Sequence, residues 1–151
     1  MKDQQIKVMK KIAALFDSQR LAVLSTETNR QPYTSLVGFT ASPDLTSVYF
    51  LTPETTRKYE NLTANPKVSI LVNDSRNKAE DFYDAVSVTG TGVAEVIDKA
   101  EHRSELEAYL NEHPNLRDFS HAPTTAFIRI KMKRYFMVSR FQNVDEVKVG
   151  S

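Results

Sequence analysis

The sequence predicts a mainly β domain with flanking helices, its antiparallel strands curled into a small barrel, and three observations lead there. Six runs rich in β-branched and aromatic residues are separated by turn-forming residues. The longest of them, 85–97, carries Gly90 and Gly92 two apart and so on one face, where missing side chains allow the sharp corner that closing a barrel requires. Helical periodicity is confined to short segments at the amino terminus, after residue 55 and after residue 98.

The first helix is expected to start at a capping Asp3, with Ile6, Met9, Ala13 and Phe16 as its apolar stripe and Val8, Ile12 and Leu15 widening it. It should lie as a lid on one barrel opening. Leu21 to Ser25 reads as a strand, and Thr28-Asn29-Arg30-Gln31 before Pro32 as a hairpin turn. The next strand runs from Tyr33 to Thr40, with small and polar residues on both faces and a glycine, Gly38, in its interior, where such a residue marks a bend or a close approach. After the turn at 43–46, Ser47 to Leu51 forms a strand that Pro53 stops.

The stretch that follows, TPETTRKYENLTANPKVSILV, carries the most chemistry. Thr55 or Thr56 caps a short helix that Asn65-Pro66 ends, which sets two hydroxyls, Arg57 and Lys58 at a helix amino terminus beside a sheet. First-turn N–H groups, the positive end of the helix dipole and two cations together suit a phosphate. Lys67 to Val72 is then a buried strand. Residues 73–84 form a polar loop with a short helical piece, whose Glu80, Asp81 and Asp84 lack the spacing of a calcium loop, so no metal is expected. Strand 85–97 precedes a helix capped by Asp98 and stopped at His113-Pro114, and one more helical turn is expected near 115–119. The last strand spans Ala126 to Phe141, with Ile128, Ile130, Met132, Phe136 and Val138 on one face. Simple alternation sets Arg140 on that same side, either as an end-of-strand charge or as a group that reaches a cofactor or substrate anion from a partner subunit.

Composition narrows the function classes. The 151 residues suit one domain, 1–151, and 40% hydrophobic with 26% charged residues is ordinary for a globular protein. Twenty basic residues against nineteen acidic ones disfavour nucleic acid as a partner, despite a basic stripe at Arg129, Lys131 and Lys133. There is no cysteine, which excludes thiolate chemistry, and the three histidines show no metal spacing. The charged amino terminus is neither a secretory signal nor a membrane span, so a cytoplasmic protein without membrane contact is the expectation.

Residues TTRKYENLTANPKVSIL, preceded by a strand and followed by AVSVTGTGVAEVID, resemble the flavin-binding split-barrel family that includes pyridoxamine 5'-phosphate oxidase. The resemblance implies a split β-barrel of Greek-key-like antiparallel strands, with FMN in the groove of a homodimer. It implies that Thr56, Arg57 and Lys58 hold the FMN phosphate with Thr52 nearby, and that the ring lies on the strand of Ser35, Leu36, Val37, Gly38, Phe39 and Thr40. It also implies an oxidoreductase moving electrons between a small-molecule donor, NADH or NADPH, and a small acceptor, with no catalytic side chain assigned. Pyridoxamine phosphate oxidases proper carry an arginine and a lysine at the ends of the strand that here begins with Ser35 and ends with Thr40. They also carry a glutamine where Ala85 stands, and a longer carboxyl-terminal part rich in arginine and tryptophan. Oxidation of vitamin B6 is therefore not expected. A haem-binding or haem-degrading protein and a flavin-binding module without turnover are the alternatives within the same fold.

Overall fold

In the computed structural model, which describes residues 2–150, helix α1 (Lys2–Ser18) buries Val8, Ile12, Leu15 and Phe16. Asp3 lies within its first turn, one residue inside the expected cap, where its charge still favours the helix dipole. Strands β1 (Leu21–Thr28) and β2 (Gln31–Gly38) form a hairpin through Asn29 and Arg30, both at positive φ, the two-residue turn whose twist suits a hairpin. Pro32 is tolerated because β2 is an edge strand.

The strand expected to run unbroken from Tyr33 to Thr40 breaks at Phe39. Thr40 belongs to β3 (Thr40–Ala41), which leaves β1 and pairs with β4 (Ser47–Pro53). This break closes the barrel. Helix α2 (Arg57–Ala64) and strand β5 (Lys67–Asn73) follow, then the short α3 (Asp81–Asp84) and β6 (Ser87–Ile97). Helix α4 (Arg103–Glu112) starts five residues later than the expected cap, because Asp98 instead closes a preceding turn by accepting from the Glu101 N–H. A 3-10 turn (Pro114–Leu116), α5 (Arg117–Ser120), β7 (Thr125–Ser139) and β8 (Asn143–Lys148) complete the order.

The sheet runs β2-β1-β5-β6-β7-β4-β3, antiparallel throughout, with β8 added to β7. Its two ends, β2 and β3, are consecutive in the chain, so the sheet curls on itself and is joined by the Gly38–Phe39–Thr40 segment. The outer edge of β2 pairs with no further strand among the described residues, which leaves a seam: the architecture is a split barrel. The corner expected at the glycines is present. A Cβ on Gly90 would sit 2.5 Å from Met132 Cε, and one on Gly92 would sit 2.5 Å from the Lys131 carbonyl oxygen.

Strand β7 departs from simple alternation. Thr91 faces Arg134 while Gly92 faces Met132, so Lys133 is an extra residue, a bulge. Beyond it the inward face switches from Ile128, Ile130 and Met132 to Tyr135 and Met137. Phe136 and Val138, expected inside, turn outward. Tyr135 is fully buried, and its hydroxyl donates to the Leu45 carbonyl at 2.7 Å.

Candidate functional site

The start of α2 is built from the end of β4. Thr56 is the N-cap: its Oγ1 accepts from the Tyr59 N–H at 3.3 Å and donates to the Pro53 carbonyl at 3.0 Å. The buried Thr52 brings its hydroxyl within 2.8 Å of Thr56 Oγ1. Of the two threonines that could cap, Thr56 does so because its extended backbone lets the side chain fold back onto the helix. The N–H groups of Arg57 and Lys58 are first-turn donors with no intrahelical acceptor.

Two cations stand at this helix end in different states. Arg57 is exposed, and its guanidinium carbon lies 5.8 Å from the centre of the Tyr33 ring on β2. Lys58 is partly buried, desolvation lowers its pKa, and no carboxylate pairs with it among the described residues. A half-buried ammonium with no acid beside it is a site with unspent charge, and an anion is the group that would satisfy it.

The helix is held in place by an unforeseen residue. Asn61, buried one turn in, donates from Nδ2 to Thr26 Oγ1 at 3.0 Å and accepts from the Thr28 hydroxyl at 2.9 Å. Both partners are on β1, so the cationic start of α2 is fixed against the β1–β2 hairpin.

Strand β2 runs from this end of the seam. Tyr33 touches Arg57, and two residues on, on the same face, Ser35 has a buried Oγ with no hydrogen-bond partner. An orphaned buried hydroxyl beside a seam is costly unless a further group meets it. Val37 continues that face into the core, Leu36 points outward and is 65% exposed, and Gly38 ends the strand. Thr40 lies past the break, on β3. The residues expected under a planar ring therefore fall into two groups, Ser35 to Gly38 on one lip of the barrel and Thr40 on the other.

Two buried side chains from α4 clamp the break. The Tyr109 hydroxyl donates to the Gly38 carbonyl and His113 Nε2 lies 2.9 Å from the Phe39 carbonyl oxygen, with the two rings 4.7 Å apart. His113 ends the helix as expected, as its C-cap, and is interior as well. Burial pushes the Tyr109 phenol up to about 12. The i, i+4 spacing of the two rings was the signal in the sequence.

Arg140 is not brought to this site within one chain. The bulge and a turn through Arg140, Phe141 and Gln142, all at positive φ, take it off the strand, and it lines an open pocket with Lys11, Asp74 and Asp84. The other end of β7, at Thr125, is the one that pairs with Pro53 beside the helix start. The basic stripe is partly neutralised: Glu95 lies 3.0 Å from Arg129 and 3.6 Å from Lys131. Asp81, in the acidic loop, accepts from the N–H groups of Arg76 and Lys78 and so shapes the loop. No helix among the described residues is long and apolar enough to cross a membrane.

Comparison with known proteins gives a consistent picture. The family model described as pyridoxamine 5'-phosphate oxidase matches residues 8–139. A pyridoxamine 5'-phosphate oxidase homolog of Schizosaccharomyces pombe is 28% identical over 152 residues, covering 81% of this chain and 80% of that one. Among solved structures, a heme binding protein from Mycobacterium smegmatis superposes with a TM-score of 0.78 at 17% identity over 90% of this chain, which spans only 56% of that longer one. A FAD-binding protein from Mesorhizobium loti superposes with a TM-score of 0.67 at 19% identity, covering 86% of this chain and 91% of its own. At such identities these two likenesses speak for the fold.

Proposed function

Because the chain belongs to the pyridoxamine 5'-phosphate oxidase family, we propose that it is an FMN-binding oxidoreductase that works as a homodimer and passes electrons between NADH or NADPH and a small acceptor. The observation that carries this reading is the pairing of an acid-free, partly desolvated Lys58 at the start of α2 with the orphaned Ser35 hydroxyl on the adjacent strand. The two suit opposite ends of one molecule, a phosphate and a planar polar ring. When bound, FMN supplies the electron chemistry, which no side chain in this site provides.

The chain's own residues do the rest. Arg57 leaves the Tyr33 ring and, with Lys58 and the first-turn N–H groups, neutralises the phosphate. Thr52 and Thr56 fix the geometry of that turn rather than standing as free donors, since the Thr56 hydroxyl already has three partners. The open edge of β2 from Ser35 to Gly38 offers backbone groups to the ring. Thr40 and Arg140 join only across the seam or from a second subunit. Ser35, Thr40 and Ala85 replace the charged and amide groups of oxidases acting on pyridoxamine phosphate, so a different substrate is proposed.

The homodimer has a candidate face. Register aligns Leu36, Val23, Leu71, Thr89 and Phe136 in one row across β2, β1, β5, β6 and β7, on the side away from the core.

The test is the spectrum of the purified protein and of its complex with added FMN. A flavin spectrum that bleaches on adding NADH or NADPH supports the proposal. A flavin spectrum that neither nicotinamide bleaches supports the module without turnover, and a Soret band with no flavin binding overturns the assignment in favour of haem.

A further inference from the structure

The sequence pattern of α1 asks for more burial than the fold provides. Ile6 stands on the apolar stripe, yet it is 52% exposed, while Val8, Ile12, Leu15 and Phe16 are buried. It opens into a groove of about 450 Å³ between α1, the turn after β3 and the end of β8, away from the start of α2. Met9, Leu45 and Val147 continue the apolar floor, and Lys2, Lys10 and Lys148 stand on the rim. Asp44 is the single carboxylate there, and its oxygen is held by the Ser42 and Thr46 hydroxyls.

We infer that this groove binds an unbranched medium-chain carboxylate, its alkyl tail along Ile6, Met9 and Val147 and its head among the lysines. The volume falls in the range of small-molecule sites. Methionine adapts to a flexible chain, and a rim on which three lysines outnumber the one carboxylate around an apolar floor favours an amphiphile with a single negative head. The occupant is distinct from any cofactor at the seam, so the two readings stand or fall separately.

Calorimetric titration of the full chain with decanoate, below its micelle concentration, tests this. One-to-one saturable binding is expected. Octanoate should bind about fifteenfold more weakly, from about fourfold per buried methylene, and 1-decanol more weakly than decanoate. Ile6→Glu, and separately Lys10→Glu with Lys148→Glu, should lower decanoate affinity at least tenfold with the melting temperature unchanged, because these side chains lie at the surface. Absent or non-saturating binding, or affinity indifferent to Ile6→Glu and to chain length, overturns the proposal. Binding to anionic phospholipid vesicles without decanoate binding also overturns it and makes the face a membrane contact. So does an Ile6→Glu variant whose only change is loss of self-association.

Discussion

Tyr109 donates its hydroxyl to the carbonyl oxygen of Gly38 across 2.8 Å, tying a helix seventy-one residues away to the point where the barrel's first lip ends. One turn on, His113 does the same for Phe39. A strand that must change partners, from β1 to β4, leaves its carbonyls without ladder donors at the crossing, and α4 with its C-cap supplies them.

That bond sets an alkaline limit. Burial raises the Tyr109 pKa from 10.0 to about 12, so the folded state favours the protonated phenol. Its contribution is complete below pH 10 and is lost as pH rises through 12, a loss of about 3 kcal/mol. Melts between pH 8 and 12 should show the wild type losing stability over that window. Tyr109→Phe should be less stable at pH 8 by about 1 kcal/mol and less steep above pH 10. A variant with the wild-type slope would remove Tyr109 as the cause. Tyr135, also raised by burial, contributes to whatever slope remains.

Arg57→Ala together with Lys58→Ala should weaken FMN binding by roughly a hundredfold or more, since each charge-assisted contact to a phosphate contributes about 1.5–3 kcal/mol. The melting temperature of the free protein should hold. Quenching of FMN fluorescence on titration measures this, and an unchanged dissociation constant removes the anchor.

Lys58→Met separates stability from binding. The ammonium is desolvated without a paired acid, so its removal should leave the free protein as stable or slightly more so, while FMN affinity falls. A clear drop in melting temperature would show that Lys58 has a structural partner.

The outward row offers another check. Leu36→Glu should convert the proposed dimer to monomers in sedimentation, because a carboxylate placed in that face beside Val23 would be buried unpaired. The fold should survive, since Leu36 is exposed in the single chain. A dimer that persists would move the interface elsewhere.

Gly92→Ala should destabilise more than Gly90→Ala. The first would drive a methyl into the Lys131 backbone, while part of the clash at the second falls on the flexible Met132. Overpacking of this kind costs about 1–3 kcal/mol, measurable by urea unfolding.

Much of this architecture was legible because the patterns were local. The Asn29-Arg30 turn, the Thr56 cap, the stop at Asn65 and the alternation of Val68, Ile70 and Val72 each follow from residues a few places apart. What escaped depended on distant neighbours. Strand β8 buries little beyond Val147, so NVDEVK shows no core face, and the turn before it adopts left-handed backbone without glycine. The Lys133 bulge had a trace in the adjacent polar residues between Met132 and Tyr135, and missing it reversed the sides of Phe136, Val138 and Arg140. At the site, the basic helix start was readable, but the empty-handed Ser35 hydroxyl and the interior place of His113 are consequences of packing against α2 and α4.

The inserted Lys133 has an implication for the molecule's tolerance of change. With it, one polypeptide stretch serves two frames, Ile128, Ile130 and Met132 facing the barrel interior before it and Tyr135 and Met137 after. Deleting that single lysine would set Tyr135 two places after Met132, so plain alternation would keep Tyr135 and Met137 inward and Phe136 and Val138 outward. At the bulge the strand could thus lose a residue and keep its contents, whereas losing one elsewhere along it would exchange interior and exterior beyond that point.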